Sequence, residues 1–167
     1  MMQFSDTVIR HFRNPQNVGE IEHPEGIGTI NNPICGDETE LYLRIKHGVI
    51  ENAKFKSFGC AVTIASASVF TGQIKGKKIS RLLSGSDEAI VKQLVSLVEG
   101  ELGELPAVKL HCPPATVQAF LEAILQYYEK QGETKVISRI KRLIPLLANY
   151  YARGRKPEGD SITQPKR

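Results

Sequence analysis

Apolar and polar residues alternate along two neighbouring stretches. In "TELYLRIK" (39–46), Leu41, Leu43 and Ile45 fall on one side, and Tyr42, Arg44 and Lys46 on the other. In "VIENAKFKSF" (49–58), Ala53 and Phe55 alternate with Lys54 and Lys56. A period of two marks strands with one buried and one wet face. His47 and Gly48 between them predict a tight turn, so the pair reads as an antiparallel hairpin. Upstream, "EHPEGIGTINNP" is punctuated by Gly and Pro and reads as a loop or a short edge strand.

After Gly59 the pattern changes. "AVTIASASVFTGQIK" is rich in small residues without period-2 alternation, which predicts a helix packed closely on the sheet. "FSDTVIRHF" predicts a short helix capped near Ser5. "SDEAIVKQLVSLVEG" predicts another, with Ser86 as N-cap, Asp87 and Glu88 at its positive end and Gly100 as its stop. "LPAVKLHC" reads as short and extended. "PPATVQAFLEAILQYYEKQG" carries Val117, Phe120, Leu121, Ile124, Leu125 and Tyr128 on one stripe, with Gly132 past its end. Apolar residues at 136, 140, 143, 147 and 150 predict a last helix, kinked or broken near Pro145. The fold class expected is α+β: a small antiparallel sheet of about three strands, helices packed on one face, and an extra C-terminal helix.

Composition narrows the class. The 167 residues suffice for one domain with a real core and an appendage. No apolar run is long enough to span a bilayer, and "MMQFSDTVIRHF" lacks the basic and apolar regions of a secretory signal. A cytoplasmic location is therefore expected. The net charge of +4 is uneven. Residues 133–167 hold nine Lys/Arg and three Asp/Glu, net +6, whereas residues 1–132 hold thirteen and fifteen, net −2. Basic character is thus a property of the tail, and no base-stacking or reader-helix pattern accompanies it, which argues against nucleic-acid binding. The end, "RKPEGDSITQPKR", has almost no apolar residue and reads as disordered.

Three cysteines, at 35, 60 and 112, are too few and too scattered for a disulfide scaffold. Each sits at a junction. Cys35 precedes the first long strand, Cys60 follows the second and opens a helix, and Cys112 precedes a helix through Pro113 and Pro114. A helix N-terminus favours thiolate, the form that binds metal or attacks sulfur, so Cys60 and Cys112 both stand to gain. Gly36 and Gly59 let backbone approach a bound ion without a Cβ. Three thiolates suit zinc or an iron–sulfur cluster, and Asp37 or His111 can supply a fourth ligand. The spacing contains no CxxC pair, so three unrelated core thiols are an equal reading from residue physics alone. On a regular strand His111 and Cys112 would face opposite ways; only an irregular approach to the helix lets both reach one ion.

At these residues the chain resembles the iron–sulfur cluster assembly scaffold family, the IscU/NifU N-terminal type. "FSDTVIRHFRNPQNVG" is similar to the family's opening motif. "CGD" at 35–37 resembles the first ligand motif, "AKFKSFGCAVTIASASVFTGQIKGK" the second and "LPAVKLHC" the third. Four separated motifs in order make the likeness specific. It implies an α+β scaffold domain over residues 1–132, followed by a helical extension with a basic tail over 133–167. It implies transient assembly of a [2Fe–2S] cluster from iron and sulfur supplied by a cysteine desulfurase, then transfer to apo iron–sulfur proteins, without enzymatic turnover. Cys35, Asp37, Cys60, His111 and Cys112 would be the ligands, for the cluster or for zinc in the same place, and Cys112 the persulfide acceptor. An Hsp70-type chaperone and its co-chaperone would bind through Leu105, Pro106, Ala107, Val108 and Lys109. The chain departs from the family at Ala61, where a glycine is common, at Ala107, which replaces the second proline of the chaperone segment, and at Pro113 and Pro114. The rival readings are a zinc-binding sulfur-relay protein for a desulfurase, a Cys–His hydrolase and a basic interaction module. Diverging neighbours at 111 and 112 weigh against the hydrolase.

Overall fold

The computed structural model describes residues 3–32 and 35–152. The expected disorder of the last residues falls on 153–167, outside the described residues. In chain order the elements are α1 (Asp6–Arg13), β1 (Gly26–Asn31), β2 (Glu38–Lys46), β3 (Val49–Phe58), α2 (Ala61–Ile74), α3 (Ile79–Leu82), α4 (Asp87–Leu102), a 3-10 turn (Ala107–Lys109), α5 (Cys112–Gln131), α6 (Thr134–Leu146) and α7 (Ala148–Tyr151).

The sheet is antiparallel in the order β1-β2-β3. The hairpin turns where expected, with His47 and Gly48 both at positive φ, as a two-residue hairpin loop demands. Its inner face is Leu41, Leu43, Ile45, Ile50, Ala53 and Phe55, all buried. Tyr42 departs from the alternation: it is buried on the supposedly wet face, with its hydroxyl donating to Glu40 at 2.5 Å. "GIGTIN" forms the edge strand, β1. Its pairing on β2 runs from Gly26 opposite Leu43 to Asn31 opposite Glu38.

Two glycines bring that strand onto α5. A Cβ on Gly28 would lie 1.7 Å from the Ala119 carbonyl oxygen, and one on Gly26 would lie 2.2 Å from that of Ala123. The strand therefore rests directly on helix backbone. Beside α5, α2 lies against β3, and Phe70 of α2 meets Phe120 of α5 edge-on at 5.3 Å between ring centroids. The small residues of α2, from Ala65 to Ser68, are buried all round, which explains why no amphipathic stripe marks it. α1 is fastened to α2 where His11 Nδ1 meets Ser68 Oγ at 2.8 Å.

Three expectations need correction. α4 does not stop at Gly100. Its stripe of Ile90, Val91, Leu94, Val95 and Val98 continues to Leu102, and burial of that side chain outweighs the roughly 1 kcal/mol cost of an interior glycine. Gly103, at φ 73°, is the true stop. The 105–111 segment is not extended either: it coils into the 3-10 turn, with the Lys109 amide donating to the Pro106 carbonyl. Cys112 is itself the first helical residue, although a proline follows it. The last helix does break after Pro145, where Leu147 separates α6 from α7. Among the described residues, no helix is long and apolar enough to cross a membrane.

Candidate metal centre

The register of the sheet puts three chain junctions at one end of it. Asn31, the end of β1, pairs with Glu38, the start of β2, and Glu38 pairs with Phe58, the end of β3. Cys35, Gly36 and Asp37 lie in the β1–β2 connection. It closes through Asn32, whose amide donates to the Asp37 carbonyl at 2.7 Å and whose carbonyl accepts from Gly36 at 2.8 Å. Gly36 is at φ 71°, a left-handed turn that suits glycine. Gly59 and Cys60 follow β3, and Cys60 is the N-cap of α2. His111 and Cys112 arrive with α5.

Five donors converge. The ligand atoms of Cys35, Asp37 and His111 lie within 4.8 Å of one another, and so do those of Asp37, Cys60 and Cys112. Asp37 is common to both sets. Cys35 Sγ is 3.5 Å from His111 Nε2, Cys112 Sγ is 3.6 Å from the same nitrogen, and Cys60 Sγ is 4.0 Å from Cys112 Sγ. These separations resemble the edges of a tetrahedron around a zinc-sized ion, about 3.8 Å for bonds of about 2.3 Å. His111 and Cys112 reach the same place because His111 is already in the right-handed helical region, with φ −81° and ψ −16°. Consecutive helical side chains are about 100° apart rather than opposed.

Burial grades the three thiols. Cys35 is exposed, Cys60 half-buried and Cys112 buried, at 1% of its surface. The hydrogen bond from Cys112 is the main reason the Cys60 thiol is pushed well below its ordinary value, with help from Thr63 and the Lys109 charge. Cys112 moves the opposite way, raised by that same bond and by burial. Cys60 thus shifts in the direction expected of a helix start, though through its Cys112 partner, and Cys112 shifts against that expectation because burial and the same hydrogen bond favour its neutral form. Burial also raises Cys35. For Asp37, burial works upward, but hydrogen bonds from Thr63, Cys35 and Cys60 outweigh it and hold the carboxylate below its usual range.

Gly59 has a more specific role than giving an ion room. A Cβ there would sit 2.8 Å from Asp37 Cγ, so the missing side chain makes the seat of the carboxylate. Two further residues stand at the centre: Thr63, not singled out from sequence, and Lys109, expected only as part of the chaperone segment. Thr63 donates a hydrogen bond to Asp37 Oδ2. Its only sequence signal is a hydroxyl three residues after Cys60, in the first turn of α2. Lys109 faces the thiols: burial works against its charge, yet the Cys60 thiolate, and behind it Cys112 and Asp37, raise the ammonium pKa. Its signal is a lone cation three residues before Cys112.

The profile of the NifU-like N terminal domain matches residues 3–134. An iron–sulfur cluster assembly scaffold protein, IscU 1, of Archaeoglobus fulgidus is 41% identical over 140 residues, covering 84% of each chain. The scaffold protein IscU of Haemophilus influenzae is 37% identical over 135 residues, 78% of this chain and 100% of its own. That of Escherichia coli is 35% identical over 134 residues, 78% and 98%. A crystal structure from Fervidobacterium islandicum AW-1, described as a cluster assembly scaffold for the SUF system, superposes with a TM-score of 0.54 at 22% identity, over 72% of this chain and 96% of that one, a likeness of fold. With its profile matched over most of its length and its three cysteines drawn to one pole of the sheet, the chain belongs to the NifU-like N-terminal domain family.

Proposed function

We propose that this protein is a scaffold on which a [2Fe–2S] cluster is assembled transiently from iron and desulfurase-derived sulfur and passed to apo-proteins. It acts in the cytoplasm, where thiols stay reduced, and is consumed in no turnover of its own. The observation that carries the reading is the convergence of three cysteines, a histidine and an aspartate from three chain junctions, with Asp37 shared by both donor sets. The cluster is cargo. Cys35, Cys60 and Cys112 supply soft sulfur donors, and Asp37 or His111 completes the set.

Sulfur arrives as the persulfide of a cysteine desulfurase, and Cys112 is the proposed acceptor. Once its proton has passed to the neighbouring Cys60 thiolate, 4.0 Å away, Cys112 attacks the terminal sulfur, the sulfur–sulfur bond breaks, and the desulfurase cysteine leaves as thiolate. Because Cys112 is buried, access controls this step as much as thiolate supply does. Lys109 sits where it can offset the negative charge that accumulates on the thiolates. The 105–109 segment is the proposed chaperone contact; Val108 is 63% exposed there.

Anaerobic reconstitution with ferrous iron, cysteine, a desulfurase and a thiol reductant tests the assignment. A red-brown protein with sulfur-to-iron charge-transfer bands is expected. Without iron, Cys112→Ser is expected to lose persulfide labelling while Cys35→Ser keeps some. A zinc-binding sulfur acceptor is the second reading, favoured by donor separations of 3.5 to 4.0 Å that match a single tetrahedral ion. A colourless protein that keeps one tight zinc through the reconstitution decides for it.

A further inference from the structure

Thr63 is 4% exposed and lies behind the donor cluster rather than in it. Its hydroxyl touches three of the five donor side chains. It donates to Asp37 Oδ2, stands 3.4 Å from Cys60 Sγ and stands 3.5 Å from Cys112 Sγ. A hydroxyl has one proton to give. The carboxylate is the charged acceptor, and a bond to it is stronger than one to either sulfur, so the proton belongs to Asp37. The two sulfurs then face the oxygen lone pairs. When they are thiols they can donate to it; as metal-bound thiolates they cannot, whereas the bond to Asp37 uses Oδ2 and a carboxylate has a second oxygen to offer a metal.

The setting leaves Thr63 little freedom. It stands in the first turn of α2, three residues after the N-cap Cys60, between Val62 and Ala65, which are both fully buried. Its β-branched side chain has few rotamers in a helix. Opposite it, the Asp37 carboxylate is confined by the backbone of Gly59, where even a methyl group would collide with Cγ. The carboxylate is thus held by the Gly59 backbone and by the Thr63 hydroxyl.

We infer that Thr63 is a positioning residue for the metal centre: its hydroxyl fixes Asp37 through Oδ2 and leaves Oδ1 as the single oxygen offered to a metal. This rests on the reading of Asp37 as a ligand. Outer-shell hydrogen bonds of this kind orient a ligand before the metal arrives, and their loss typically costs about 10- to 100-fold in metal affinity.

The test uses the full chain and zinc alone, with affinity measured by competition against a chromophoric chelator. Thr63→Val keeps the shape and removes the hydroxyl, and is expected to weaken zinc binding about 10-fold or more. Thr63→Ser keeps the hydroxyl and is expected to restore most of it. In an Asp37→Ala background, Thr63→Val is expected to change nothing further. Equal affinity of Thr63→Val and the parent overturns the inference. So does an equal loss in Thr63→Ser, or a Thr63→Val loss that persists without Asp37, since either marks packing as the cause. Zinc affinity indifferent to Asp37→Ala overturns the ligand reading and this inference together; affinity that responds to Asp37→Ala but ignores Thr63→Val overturns the inference alone.

Discussion

The least expected donor is Asp37, a hard oxygen among soft sulfurs. A scaffold has to hold its cargo while it is built and then let it go. An oxygen ligand on iron exchanges more readily than thiolate, and Asp37 is the residue common to both donor sets. In Asp37→Ala the oxygen is gone, and His111, 3.5 Å from Cys35 and 3.6 Å from Cys112, is placed to take over with a softer nitrogen. The expected outcome is slower delivery of a reconstituted cluster to an apo-ferredoxin, by about 10-fold if the exchanging ligand limits transfer and accounts for about 1.4 kcal/mol of the barrier. Transfer as fast as in the parent would show that release is controlled elsewhere. Thr63→Val keeps the Asp37 oxygen and should not mimic this slowing.

Among the elements, β1 and α5 matter most to the site, because β1 leads into the Cys35–Asp37 connection and α5 begins with Cys112. Their spacing is set by two glycines with helix backbone where their side chains would be. A methyl group at Gly28 cannot be absorbed by a rotamer change, since the atom it meets is a carbonyl oxygen at 1.7 Å. Gly28→Ala should therefore destabilise by about 2 kcal/mol or more, in the range of overpacked cores. Urea unfolding measures it; a midpoint equal to the parent's would mean that strand and helix separate easily. The edge strand was legible only as a loop or short strand because glycine and proline are read as breakers. Here glycine at 26 and 28 is instead what lets a strand lie on a helix. The error at Gly100 has the same root: a local conformational preference was overridden by burial of Leu102.

At the scale of the whole molecule, α6 is joined to the domain by apolar and ionic contacts together. Ile140, Leu143 and Leu147 are fully buried in the same core as the sheet. Asp87, in the first turn of α4, meets Arg142 at 2.9 Å and Arg139 at 3.4 Å. The hydrogen bond from Arg142 is the main cause holding the Asp87 carboxylate below its ordinary range, with Arg139 adding to it. Its folded pKa is depressed, so the stabilisation is present above the ordinary carboxylate pKa and is lost as pH falls through the folded value. Asp87→Asn should lower the urea midpoint near neutral pH, and the gap to the parent should close on acidification and shrink in high salt. A gap that does not change with pH would assign the effect to packing rather than charge. The basic charge of residues 133–152 is in part tied up in this way, which fits a docked helix better than a free interaction module.

By itself the sequence determined which stretches are strands and helices where periodicity was strong, the family through four ordered motifs, and the three thiols and two flanking donors as one candidate set. Those are properties of short segments, and local patterns of burial and ligand chemistry report them. Only the tertiary structure decided that all five donors meet, because the meeting depends on sheet register and on a helical His111, neither of which a single segment reveals. It also sets the two helix-start thiols apart. Cys60 and Cys112 have similar positions at the starts of helices, but their sulfurs stand 4.0 Å apart and Cys112 is buried deeper, which favours its neutral form and lowers Cys60. Thr63 and Lys109 enter the site for the same reason: what a hydroxyl or an ammonium does is fixed by what stands within a few ångströms of it, and the chain brings those neighbours from far along its length.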